Sequence, residues 1–169
     1  MMAEVLDRLA RQNTFYLEAM ITPQSGASRA VGKKAGWNDD LQAEARAVKV
    51  AGIEGLVPAA MADTDEMEAR ARKLMACGTV QAHPGCKVTV RYLVQTIRVL
   101  PPEQTFAQIA LGVALVRKDP RWVGIQIVAP EDNPTALDLY DLHMRMIDVL
   151  TDHGRLAKTA LHAGELTPD

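Results

Sequence analysis

The pattern that most constrains this chain is the alternation of short apolar runs with helical segments. Four runs have the length and composition of β-strands, and they span residues 14–22, 87–99, 122–128 and 158–161. Helical periodicity or helix-start signals mark the segments around them, at residues 3–12, 39–51, 59–76, 101–118 and 132–152. Nearly continuous apolar strands joined by helices predict an α/β fold with a parallel sheet that helices cover on at least one face.

Two further local predictions follow from composition. Residues 24–38 are rich in Gly, Ser and Lys, and we interpret them as a loop. Asp63 and Thr64 are candidate N-caps for the helix of residues 59–76, because short polar side chains accept hydrogen bonds from free backbone N–H groups at a helix start. Asp132 or Asn133 is expected to cap the helix of residues 132–152, with Pro134 in its first turn.

Cys77 and Cys86 lie nine positions apart in a segment that contains Gly and Pro. A disulfide between them is sterically feasible, but two cysteines in a long chain do not constitute a disulfide framework. We therefore expect reduced, structural thiols. The pair also lacks the CxxC spacing of a zinc site, and the presence of His83 between them is interpreted as fortuitous.

Charge and hydropathy argue against two classes of function. The 169 residues carry a formal net charge of -2, without the basic patch that nucleic-acid binding requires. No apolar stretch approaches the roughly 18 residues of a membrane-spanning helix. The N-terminal segment is amphipathic and contains acidic residues, unlike a signal peptide. We expect a cytoplasmic protein with no nucleic-acid or membrane partner.

Polar residues cluster where the predicted strands end, at Thr22, Thr96, Arg98, Glu131, Asp132, His162 and Glu165. In barrels and in open α/β sheets, the carboxyl ends of the strands carry the active site. The last strand leads directly into the sequence His162-Ala163-Gly164-Glu165, whose small spacers allow a sharp turn and close approach of a ligand. An imidazole beside a carboxylate is the combination that metal-assisted hydrolysis uses.

Four strand-end segments resemble, in order and spacing, those of the adenosine deaminase family of zinc aminohydrolases. They are residues 16–23 (YLEAMITP), 90–98 (VRYLVQTIR), 123–132 (VGIQIVAPED) and 162–165 (HAGE). The resemblance implies a (β/α)8 TIM barrel, in which the strands of this chain would be the second to the fifth. Residues 1–169 would then form the central part of one barrel domain, lacking its first strand and its last strands.

The resemblance also implies an activity, which is the hydrolytic deamination of adenosine or deoxyadenosine to inosine. His162 would ligate zinc through a neutral imidazole. Glu165 would donate a proton to the purine ring, and because such a carboxyl has to be shielded from water we expect it to be buried.

Four further residues would contact the purine nucleoside. Gly164 would let the substrate approach the backbone, and Thr22 is a candidate from the first strand end. Ala129 would occupy the position at which many relatives offer a glycine N–H to the purine, although a shift of one residue would put Pro130 there and remove the donor. Arg98 would either line the cleft or form a salt bridge that ties the strands together.

The family's remaining metal ligands do not occur in this sequence. Relatives bind zinc through an HxH pair on the first strand and a late aspartate, and a further histidine positions the water. The sequence contains no HxH, so we expect a partial chain with an incomplete zinc site and no activity in isolation. The alternative is a non-enzymatic half-barrel that forms a homodimer, or otherwise self-associates, through exposed strand edges. A flavodoxin-like sheet with a phosphate site has no Gly-rich loop to support it.

Other polar and sulfur-containing residues receive structural roles. We expect Glu18 to form a buried pair with Arg91, and His143 and His153 to lie at the surface or in packing positions. Met144 and Met146 are expected to pack the preceding helix against the sheet. For Glu131 and Asp132, capping of the next helix and contact with the site remain equal alternatives.

Overall fold

A computed structural model, which describes residues 1–165, has helices alternating with four parallel strands. The strands are β1 (Tyr16–Ile21), β2 (Thr89–Ile97), β3 (Trp122–Val128) and β4 (Lys158–Leu161), and they lie side by side in chain order. All three pairings are parallel. The predicted α/β class and all four predicted strands are confirmed, and β1 and β4 form the two edges of the sheet.

The described residues form seven α-helices: α1 (Met2–Arg11), α2 (Ser25–Ala35), α3 (Leu41–Ala51), α4 (Val57–Leu74), α5 (Pro102–Lys118), α6 (Pro134–Asp138) and α7 (Tyr140–Leu150). Short 3-10 helices occupy Ile53–Leu56 and Pro84–Lys87. Asn133 caps α6, since its side-chain oxygen accepts a hydrogen bond from the Thr135 N–H. It is one of the two residues predicted as N-cap of this segment. Within residues 1–165, no helix combines the length and apolarity needed to cross a membrane.

The loop predicted for residues 24–38 is wrong, since most of that segment is α2. Its small residues serve close packing between helices rather than chain flexibility. Gly32 lies against the start of α5, where an added Cβ would collide with the carbonyl oxygen of Glu103. Ser28 is fully buried, and its hydroxyl donates to the Ser25 carbonyl. A composition that is typical of a loop therefore occurs here in a helix, because small residues allow close contact with the neighbouring helix.

Two predicted helix boundaries are also wrong. The helix assigned to residues 59–76 begins at Val57, so Asp63 and Thr64 lie inside α4 and do not cap it. The Thr64 hydroxyl instead donates to the Ala60 carbonyl one turn earlier. The single helix assigned to residues 132–152 is interrupted at Leu139, where α6 ends and α7 begins.

The described hydrophobic clusters cover only one face of the sheet. Strand residues in these clusters all point to the same side: Leu17, Ala19, Ile21, Val90, Tyr92, Val94, Trp122, Ile125 and Ile127. Helices α5 and α7 pack there, and Met146 is buried and Met144 half-buried against this core, as predicted. The alternate side chains of β1 to β4 lie on the opposite face, which we call the open face.

Glu18 and Arg91 are cross-strand neighbours on the open face, but the predicted buried pair is wrong. Glu18 is exposed, because none of the described helices covers this side of the edge strand β1. Its carboxylate accepts a hydrogen bond from the Tyr16 hydroxyl at 2.8 Å. Arg91 donates instead to the carbonyl oxygen of Val90.

The prediction of reduced thiols is wrong as well, because Cys77 and Cys86 form a disulfide. The chain leaves α4, makes a tight turn and returns, and the His83 N–H donates to the Met75 carbonyl at 2.9 Å. This return brings the two Cα atoms to 5.6 Å, a separation that a disulfide spans. Sequence spacing alone did not reveal the return of the chain.

Candidate functional site

The candidate site is the turn after β4, residues 162–165, which we call the HAGE turn. His162 follows the last residue of β4, and its backbone N–H continues the ladder by donating to the Ile127 carbonyl at 3.1 Å. Alternation along the strand places its side chain on the open face. The two ring nitrogens have different neighbours: Nδ1 lies 2.9 Å from the side-chain nitrogen of Gln126, and Nε2 lies 3.4 Å from a carboxylate oxygen of Glu165.

Glu131, which follows β3, holds the backbone of the HAGE turn. One of its carboxylate oxygens accepts from the Gly164 N–H at 2.8 Å and the other from the Glu165 N–H at 2.9 Å. Gly164 has a φ of 73°, which glycine adopts without steric cost. Of the two roles predicted for Glu131, the structure therefore supports contact with the site, while Asn133 performs the capping.

Arg98, which follows β2, joins the ends of three strands. Its guanidinium donates from Nη1 to the His162 carbonyl at 3.1 Å, and from both Nε and Nη2 to the Ala129 carbonyl. The side chain is only 8% exposed. Arg98 forms no salt bridge with any described residue. It ties the strands together, as one of its two predicted roles requires, but the hydrogen-bond acceptors are backbone carbonyl oxygens and not a carboxylate. A direct contact between Arg98 and substrate stays a prediction.

Ala129, between β3 and Glu131, has an unusual backbone conformation with a φ of 113°. Residues with a Cβ rarely adopt this region, whereas glycine does so freely. The contact predicted between the Ala129 N–H and a purine stays a prediction. The carbonyl oxygen of Ala129 is directed to Arg98.

A cleft of about 570 Å³ lies along the HAGE turn on the open face. Its lining includes the side chains of the three adjacent strand ends: Gln95, Ile97, Val128, Ala129, Pro130, Glu131, His162 and Glu165. Thr22 lies at the end of the edge strand β1, three inter-strand spacings from β4, or roughly 14 Å. The structure thus brings five predicted site residues together at the ends of β2, β3 and β4, whereas Thr22 lies at the same end of the sheet but on its far edge, away from the HAGE turn.

Behind the sheet, a cavity of about 250 Å³ separates Arg98 and the HAGE turn from α7. His143 lies in its wall, is almost fully buried, and has an Nε2 without a hydrogen-bond partner among the described residues. Burial lowers the pKa of His143, and the positive charge of Arg98 lowers it further. A neutral packing histidine agrees with the structural role predicted for His143, while His153 is exposed and contacts Asp148 at 2.8 Å.

Gln126 is a site residue that sequence reasoning missed. It is the single polar residue of β3, a strand whose other members are apolar. A polar side chain in such a strand needs a partner, and this was the available indication. Its partner depends on the register of β4 against β3. That register places Ala160 beside Gln126, and His162, two residues after Ala160, has its side chain on the same face.

The described residues do not by themselves fit a zinc ion. Within residues 1–165, no three side chains of His, Cys, Asp or Glu are grouped so that they could hold a metal. The HAGE turn supplies one imidazole and one carboxylate, whereas a catalytic zinc normally has three protein ligands. The expected burial of Glu165 is also wrong: its side chain is 52% exposed, because nothing described covers the open face above it.

Protein-family models, curated proteins and solved structures were compared with the chain, and none of them matches it significantly. The relation to adenosine deaminases therefore stays a prediction from the four strand-end segments.

Proposed function

We propose that this chain carries the histidine and glutamate of an adenosine deaminase-type active site. In this proposal β1 to β4 are the second to fifth strands of a (β/α)8 barrel, and the open face is the inside of that barrel. The observation that carries it is the convergence of Arg98, Gln126 and Glu131 on the HAGE turn. Two neighbouring strands, β2 and β3, thus contribute contacts that fix one short segment at the carboxyl end of the sheet, which is the catalytic end in barrels.

The reaction is the hydrolytic deamination of a purine nucleoside, adenosine or deoxyadenosine. Water adds to the ring carbon that bears the amino group, and ammonia leaves. Glu165, on the cleft side of the turn, donates a proton to the neighbouring ring nitrogen and makes that carbon more electrophilic. Zinc, when bound, supplies an activated water at neutral pH. His162 would be the residue of this chain that holds the ion, through Nε2, which lies 3.4 Å from the Glu165 carboxylate.

Further metal ligands have to join His162 for this chemistry, because residues 1–165 provide no cluster that could hold the ion. We therefore propose that the chain alone is inactive and that activity appears in the longest in-frame polypeptide that contains it. In that polypeptide, inosine formation from adenosine should depend on zinc. The rate of inosine formation should fall by about 100-fold or more in the variant Glu165→Gln. Glu66→Gln, on the exposed surface of α4, is the matched control and should retain full activity.

Two outcomes would contradict the proposal. One is zinc-dependent turnover that is unaffected by both His162→Ala and Glu165→Gln. The other is stoichiometric zinc with inosine production by the isolated chain, which would refute its proposed inactivity while leaving the family assignment standing.

The second candidate function is a non-enzymatic half-barrel that associates with itself. Its support is specific: β1 and β4 lie at the edges of the described sheet, and the open face near β1 exposes the large apolar side chains of Tyr16 and Met20. Edge strands and exposed apolar surface both favour association. Light scattering over a concentration series should then show a dimer that Met20→Lys weakens. A monomer at every concentration would exclude this function.

A further inference from the structure

Gln126, a residue outside the HAGE turn, contacts the imidazole ring of His162. Gln126 lies in the middle of β3, on the open face, and only 8% of it is exposed. Its side-chain nitrogen lies 2.9 Å from Nδ1 of His162, which is hydrogen-bond distance. In this arrangement the amide donates to Nδ1, so that the ring proton is on Nε2 and faces Glu165 at 3.4 Å.

The other end of the same amide is not satisfied. The Gln126 side-chain oxygen is buried and has no hydrogen-bond partner among the described residues. A buried carbonyl oxygen without a donor is unfavourable, and such groups are rare in folded proteins. Rotation of the amide by a half turn would place this oxygen against Nδ1, because the oxygen and nitrogen of an amide occupy equivalent positions. Nδ1 would then carry the proton and donate it to Gln126.

We propose that Gln126 is the positioning residue of His162, and that its amide serves either tautomer of the ring. With the amide nitrogen toward Nδ1, Nε2 carries a proton and donates toward Glu165. With the amide oxygen toward Nδ1, Nε2 carries a lone pair on the open face and can ligate a cation. A metal-binding histidine generally needs an acceptor on its other nitrogen. Glutamine provides that acceptor without forcing the ligand form when no cation is present, as a fixed carboxylate would.

The positioning role depends on the contact alone, whereas its use in presenting Nε2 to a metal rests on the proposed function. The test therefore reads the ring directly and needs neither metal nor substrate. Imidazole nitrogen NMR on the labelled chain gives the tautomer ratio of His162, recorded about two pH units above the ordinary histidine pKa of about 6.5. Other histidines are assigned by His83→Gln, His143→Gln and His153→Gln.

Three variants separate the possibilities. Gln126→Leu removes both hydrogen-bonding groups, and because the wild-type amide serves either tautomer, this substitution should change the tautomer ratio by less than about twofold. Gln126→Glu offers only acceptors and should convert the ring to the form with the proton on Nδ1. Gln95→Leu is the matched control, since Gln95 is the register neighbour of Gln126 on β2 and makes no hydrogen bond to His162; it should leave the ratio unchanged.

The result that overturns the proposal is equally direct. If Gln126→Glu keeps the wild-type tautomer ratio while its backbone spectrum remains that of the folded chain, Gln126 does not position His162. If Gln126→Leu shifts the ratio by about fivefold or more, the equivalent of one ordinary hydrogen bond, the amide serves one tautomer only and the proposal is wrong. If Gln126→Leu does not fold, Gln126→Glu alone decides, through the presence or absence of the conversion. A deaminase assay that fails would leave this result untouched, so the two proposals fail separately.

Discussion

The guanidinium of Arg98 donates to the carbonyl oxygen of His162 at 3.1 Å, although 64 positions separate the two residues in the chain. Nothing in the local sequence of either residue requires this contact. It exists because β2, β3 and β4 are parallel neighbours whose carboxyl ends meet at one edge of the sheet. The bond fixes the residue that begins the HAGE turn, and it links the stability of the sheet to the geometry of the candidate site.

Removal of the guanidinium should destabilise the protein and loosen the turn. Arg98→Met, which has no donor, leaves the carbonyls of Ala129 and His162 without their buried donor, and we expect the free energy of unfolding to fall by about 2–4 kcal/mol. Urea denaturation measures this loss. Arg117→Met, on the exposed end of α5, should change the stability by less than about 0.5 kcal/mol. Equal effects of the two substitutions would show that the Arg98 contacts contribute nothing.

The carboxylate of Glu131 should control the order of the HAGE turn. In Glu131→Ala the N–H groups of Gly164 and Glu165 lose their charged acceptor. Because hydrogen bonds to charged groups contribute about 1.5–3 kcal/mol, amide hydrogen exchange at these two residues should accelerate by about tenfold or more. Asp132→Ala, at the next position, is the control and should leave both exchange rates as they are. Unchanged protection in Glu131→Ala would contradict the assignment.

Reduction of the disulfide should destabilise the end of α4 and the turn that follows it. For the short loop closed by Cys77 and Cys86, the chain-entropy relation gives a loss of about 2–3 kcal/mol. The measurement is urea unfolding with and without a thiol reductant. The double variant Cys77→Ser/Cys86→Ser should match the reduced protein and be insensitive to the reductant. An intact mass corresponding to two free thiols in the oxidised preparation would show that the bond does not form.

Glu44 should destabilise the protein at neutral pH. It is completely buried on α3, and burial raises the pKa of its carboxyl above the ordinary value of 4.5, with the nearby Glu103 carboxylate adding to the effect and the Asn38 amide opposing it. A carboxyl whose folded-state pKa is raised costs stability wherever it is ionised. This cost is largest above the folded-state pKa and disappears as the pH falls below 4.5.

Glu44→Gln should therefore increase the free energy of unfolding at pH 7 by about 1–2 kcal/mol, and the gain should vanish in acid. Thermal or urea unfolding at several pH values checks both parts. Glu66→Gln, which replaces an exposed carboxylate in α4, should show no such pH-dependent gain. A destabilised Glu44→Gln at pH 7 would indicate that the surroundings of Glu44 favour its ionised form, which is the opposite of the expected direction.

Hydrophobic periodicity predicted the strands well because the apolar pattern of each strand lies within its own short segment. β3 (Trp122–Val128) and β4 (Lys158–Leu161) have the predicted bounds, since a run of apolar residues between turns has few alternatives in an α/β chain. It failed for α2, where Gly32 and Ser28 are small because another helix lies against them. Composition cannot distinguish a residue that is small for flexibility from one that is small for packing.

The sequence by itself determined the α/β class, the strands and the identity of the His162 and Glu165 side chains, because hydrophobic patterning and residue chemistry are local properties. The tertiary structure alone decided the disulfide, the exposure of Glu165, the distance of Thr22 from the turn, and the contacts of Arg98, Gln126 and Glu131 with it. Each of these depends on which strand ends become neighbours and in what register. Neighbours and register are set by the burial of one face of the whole sheet, and no short segment of the chain contains that information.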